Sequence, residues 1–157
     1  MRTIVFLIAL LCCSWVNAED VTDNLTIQHI RKLYPIAKQQ WIDSGEPASK
    51  FAEVKVSINN IEYLATGNSG TKVMDFDDDA NGSGWYVGAG PNVPRDKVDL
   101  LSVMVHELGH VIGYDHGTDC MQPLTWVGTR NITIPAHKIP FGTYYYVYPR
   151  RGWFRWR

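Results

Sequence analysis

The residues with the clearest chemistry run from His106 to His116, in the pattern H-E-x-x-H-x-x-G-x-x-H. His106 and His110 are four residues apart, so on a helix their imidazoles project from one face, one turn apart. Two imidazoles placed that way can each give one nitrogen to the same Zn²⁺. Glu107 follows the first of them and can reach a water at an open position of the metal. Gly113 marks where the helix must stop, because a third ligand cannot share the same helical face. Without a Cβ, it can take the left-handed conformation that ends a helix and swings His116 back. Three neutral imidazoles and one water make a site with an open position, which is a catalytic arrangement and not a closed structural one. In such a site the metal acidifies the water, and Glu107 acts as general base and then as general acid.

A bare H-E-x-x-H arises by chance on exposed helices, but a glycine and a third histidine at fixed offsets do not often join it. The extended pattern resembles the metzincin clan of zinc endopeptidases, whose second mark is a methionine turn downstream. Asp119-Cys120-Met121-Gln122-Pro123 stands in that place, and the resemblance makes Met121 the apolar floor beneath the imidazoles. It implies an α+β zincin fold: a small, twisted, mostly parallel sheet, a central metal-binding helix and a short C-terminal lobe. It also implies a secreted zinc-dependent endopeptidase acting on a protein or peptide. The substrate would lie extended against an edge strand, Thr71 to Phe76 or its neighbour. Pro123 to Gly128 would form a pocket wall, apolar through Leu124 and Trp126.

Asp75-Phe76-Asp77-Asp78-Asp79 is similar to the acid run of matrixin-type metzincins, where carboxylates bind calcium. On that resemblance Asp77 and Asp79, joined by Asp75, are hard oxygen ligands for Ca²⁺. Read from the residues alone, the run is equally a solvated acidic turn. The chain departs from matrixins where Asp75 replaces a histidine for a structural zinc, and where Ala80 replaces a glutamate. Gly117 after the third histidine matches none of the best-known subfamilies, and Pro123, two residues beyond Met121, is not the tyrosine of astacin-like enzymes. From Asp77 to Met121 the chain is similar to matrixin-like domains of large secreted bacterial proteins.

The remaining elements must position this site. The chain has 157 residues, enough for one core. An apolar content of 45% with 20% charged residues is that of a globular protein, and a formal net charge of −1 argues against a nucleic-acid partner. Arg2, the apolar run from Ile4 to Cys13 and Val16-Asn17-Ala18 read as a secretory signal peptide cleaved after Ala18. A single catalytic domain then covers residues 19–157. Cys12 and Cys13 leave with the signal, so Cys120 stands alone and no internal disulfide forms.

Ile27, Ile30, Leu33, Tyr34, Ala37 and Trp41 recur at helical spacing, interrupted by Pro35, which predicts a kinked helix or two pieces. Strands are expected over residues 51–58, 61–65 and 71–76, with a turn at Thr66-Gly67-Asn68-Ser69-Gly70. Asp96 is the expected N-cap of the metal helix, over about Lys97 to Ile112, with Asp99 supporting its first turn. The aromatic and basic tail, residues 140–157, can be read as a contact for membrane surfaces or acidic polymers, or as a terminal packed strand. His29 and His137 have no partner spacing and read as ordinary histidines. Two other functional classes fit the composition: a secreted zinc-binding protein with an adhesive or structural role, and a zinc hydrolase acting on a non-peptide amide or ester.

Overall fold

In the computed structural model, residues 20–123 and 127–142 are described. The expected signal segment, Leu124 to Trp126 and the tail beyond Gly142 lie outside them.

The first helix, α1 (Ile27–Asp43), starts at Thr26, whose hydroxyl accepts from the His29 amide while the His29 ring accepts from the Thr26 amide. This reciprocal capping accounts for His29. The helix is continuous through Pro35, so of the two expected outcomes, a kinked helix or two pieces, the two pieces do not occur. Its buried face, Ile30, Leu33, Ala37 and Trp41, packs on the second helix strongly enough to hold the turn that the proline weakens. The Trp41 indole donates to the Val105 carbonyl at 2.8 Å, fixing one helix against the other.

Among the described residues there are six short strands: β1 (Val21–Thr22), β2 (Lys55–Asn59), β3 (Ala65–Asn68), β4 (Val73–Asp77), β5 (Trp85–Tyr86) and β6 (Val98–Asp99). They form two three-stranded sheets, ordered β1-β5-β6 and β2-β4-β3. The fold class is α+β, but the expected mostly parallel sheet is replaced by two mixed ones. β2 runs parallel to β4 and β5 to β6, whereas β3–β4 and β1–β5 are antiparallel. The short 69–72 connection dictates the β3–β4 case, because so few residues can only join antiparallel neighbours.

The second helix, α2 (Leu100–Val111), has all twelve residues buried, a helix enclosed on every side. It starts later than expected because Asp99, not Asp96, is the cap: its carboxylate accepts from the Ser102 amide at 3.1 Å. Val98–Asp99 is already committed to pairing with β5, so the chain cannot turn helical before Leu100. Arg130 grips the buried Asp99 through two nitrogens, at 2.7 and 3.0 Å, and reaches the Gly88 and Ala89 carbonyls. At the other end, the Lys72 ammonium donates to the Val111 carbonyl at 2.7 Å, meeting one of the helix's unpaired acceptors. Both ends of the histidine-bearing helix are therefore anchored by residues distant in sequence.

Candidate metal centre

α2 presents His106 and His110 on one face, and Gly113, at φ 99°, follows directly after the last helical turn. The chain reverses there, and His116 returns to the same point. His110 Nε2 lies 3.0 Å from His106 Nε2 and 3.2 Å from His116 Nε2. Two nitrogens each about 2 Å from a tetrahedral zinc would sit roughly 3.3 Å apart. The two pairs that share His110 already have that spacing, and ligand atoms of all three rings lie within 4.8 Å of one another.

The tautomers sharpen the point. His106 Nδ1 donates to the Cys120 carbonyl at 2.7 Å, and His110 Nδ1 donates to the Tyr114 carbonyl at 2.8 Å. Both rings are thereby fixed with an unprotonated Nε2. Burial first, then neighbouring His110 and His116, push His106 down to about 4, against the pull of the Cys120 carbonyl. Burial lowers His110 and His116 too. Neutral rings so oriented aim lone pairs at one another, a repulsive arrangement unless a cation lies between them. The residues therefore fit a metal ion, and imidazole donors suit zinc among several transition metals.

Met121, only 1% exposed, packs against α2 at Gly109, the last of the three residues between His106 and His110. A Cβ there would collide with the Met121 sulfur and stand 2.7 Å from the Trp41 ring. A glycine at that position lets the methionine turn and α1 approach the helix from below. Cys120 is buried, which pushes its thiol up to about 12, so it stays protonated and packs as a small apolar group.

The edge strand supplies a group that the sequence reading placed in a turn. β4, which overlaps the expected 71–76 strand, is the central strand of its sheet and has no free edge. β2 and β3 are its two edge strands, and β3 is the one that runs beside α2. Leu64 accepts from the Asp77 amide, so Leu64, Thr66 and Asn68 turn their backbone groups toward β4. Ala65 and Gly67 turn theirs outward. The Gly67 amide donates to the Glu107 carboxylate, which lies at 6% exposure at the foot of the cleft. Burial pushes Glu107 up to about 8, against the pull of that amide.

Gly67 must lack a side chain, because a Cβ would collide with the Glu107 carbonyl oxygen. Gly67→Ala is expected to push β3 off the helix and to cost about 1–3 kcal/mol of stability, read by denaturant unfolding. A variant as stable as the parent would show that the strand has room to move.

A cleft of about 580 Å³ opens over the histidines and Glu107, with Tyr63, Leu64, Val103, Pro123 and Phe141 among its walls. Comparison with protein-family models, with characterised proteins and with solved structures returns no match. The metzincin resemblance therefore rests on the motif itself.

The acid run has a different first role. Asp77 accepts from the Ile61 amide at 3.0 Å with one oxygen and from the Asn81 amide at 2.6 Å with the other. Asp79 accepts from the Gly82 amide at 2.8 Å. Carboxyl oxygens of Asp77, Asp78 and Asp79 lie within 4.8 Å of one another, as calcium ligands must, yet the bonds that Asp77 and Asp79 make close the loop after β4. Asp75 is separate from them, accepting from the Asn59 side chain at 2.7 Å.

Proposed function

We propose that this chain is a zinc-dependent endopeptidase of metzincin type. The observation that carries the reading is the pair of fixed, unprotonated Nε2 atoms facing each other at 3.0 Å, with His116 closing the set and Glu107 beside it. Zinc held by His106, His110 and His116 would supply Lewis acidity to a water and to the scissile carbonyl. Glu107 takes the proton from the attacking water and passes it to the leaving amine. Its raised pKa suits a group that must hold a proton near neutrality and release it in the same turnover. The Gly67 amide keeps the carboxylate from rotating away, and burial beneath the cleft limits competing solvent.

An endopeptidase needs an open cleft and a way to align an extended chain. The outward-facing Ala65 offers both a donor and an acceptor beside Glu107, and a peptide can add there as another strand. Leu64, Val103, Pro123 and Phe141 give the cleft an apolar lining for side chains.

The test is hydrolysis of an unstructured protein such as casein by the purified chain, with and without a metal chelator. Cleavage that stops on chelation and returns with zinc supports the reading. A zinc-loaded protein that cleaves no peptide but hydrolyses simple esters or non-peptide amides would replace it with a different hydrolase.

A further inference from the structure

Behind the metal site lies a cluster outside the histidine motif. Glu46, in the loop after α1, is only 7% exposed. One of its oxygens accepts from the Tyr114 hydroxyl at 2.6 Å and from the Lys138 ammonium at 2.8 Å. The other accepts from the Lys50 ammonium at 2.8 Å. Burial alone would raise this carboxyl, but the three donors outweigh it and hold Glu46 down at about 2. The Tyr114 ring stacks on Trp41, with centroids 5.6 Å apart and planes 11° from parallel.

Tyr114 sits between two metal-ligating positions. Its amide donates to the Gly109 carbonyl at 2.9 Å, and its own carbonyl accepts from His110 Nδ1 at 2.8 Å. The next amide, that of Asp115, donates to the Ile139 carbonyl at 2.8 Å, and the Gly113 carbonyl accepts from the Phe141 amide at 2.8 Å. The turn that delivers His116 is thus held by backbone bonds on one side and by the Tyr114 side chain on the other. An imidazole ligand is oriented by the partner of its second nitrogen, and here that partner belongs to the residue that Glu46 grips.

We propose that Glu46 is a positioning residue for the metal centre: through the Tyr114 hydroxyl it fixes the carbonyl that orients His110 and the turn that carries His116. The inference rests on the metal-site reading above. It assigns the long-range contact to metal retention and not only to holding α1 against the helix end.

The experiment titrates the chelator-stripped full chain with Co²⁺ and Zn²⁺ against a competing chelator, recording the visible spectrum of the cobalt form and the melting temperature of the metal-free form. Tyr114→Phe removes one hydroxyl and keeps the Trp41 stack and both lysine pairs of Glu46. It is expected to weaken metal binding tenfold to a hundredfold and to alter the cobalt spectrum, while the metal-free form melts close to the parent. Glu46→Ala should weaken binding to a similar extent, with no further loss on adding Tyr114→Phe, because both remove the Tyr114–Glu46 hydrogen bond.

Glu46→Gln keeps an acceptor for the hydroxyl and removes the charge. It should therefore retain more metal affinity than Tyr114→Phe while melting lower. Parental affinity and an unchanged spectrum in Tyr114→Phe would overturn the inference, even if Glu46→Ala fails to fold. So would losses in the double variant that simply multiply. A parent chain that takes up neither metal would instead overturn the metal-site reading on which the inference depends.

Discussion

Glu107→Gln is expected to hold zinc as tightly as the parent and to lose peptide hydrolysis by roughly 10²- to 10⁴-fold, the range set by general acid–base catalysis. The replacement changes almost no volume, and its amide oxygen can still accept from Gly67. Burial already favours a neutral group at this position, as the rise of the Glu107 carboxyl to about 8 indicates, so the variant should fold at least as well as the parent. What it lacks is a base that can accept the water's proton. Steady-state rates on casein or a quenched peptide, paired with metal content on the same preparation, decide the matter. Parental turnover with a full complement of zinc would remove Glu107 from the chemistry.

His116→Ala is expected to weaken zinc binding on the order of 10²- to 10⁴-fold and to leave the fold in place. The estimate takes about a third of a typical zinc-binding free energy as the share of one ligand. Metal affinity and stability separate cleanly here. His116 stands beyond the helix end, and its turn is held by the Asp115 and Phe141 amides and by Tyr114, none of which needs the imidazole. Competition against a chelator of known affinity gives the shift. Zinc bound as tightly as in the parent would exclude His116 from the ligand set.

The site was more legible in the sequence than the fold around it. Histidine spacing and the helix-ending glycine are local signals, because one helical turn and one reversal decide where three side chains meet. The start of α2 was misplaced because Asp96 and Asp99 are both chemically adequate caps. The choice between them was made by Val98–Asp99 pairing with β5, a tertiary event with no local trace. Gly67 shows the same limit more sharply. Thr66-Gly67-Asn68 has the composition of a turn, yet it forms the edge strand, and the reason for its glycine is a helix residue distant in sequence. Glu46 carried no signal at all: a loop glutamate is ordinary until Tyr114, Lys50 and Lys138 converge on it.

If the cleft takes up a peptide as proposed, the outward edge of β3 would also restrict which chains it accommodates. Gly67 directs its amide to Glu107, so Ala65 is the position on that edge able to offer both a donor and an acceptor to an incoming strand. In a peptide added antiparallel to β3, the residue opposite Ala65 would have to bring an N–H of its own, and proline has none. The residues on either side of it point their amides away from the edge and make no such demand. Proline would thus be refused at one position of a bound peptide and tolerated at its two neighbours, a selectivity written by backbone hydrogen bonding without any side-chain pocket.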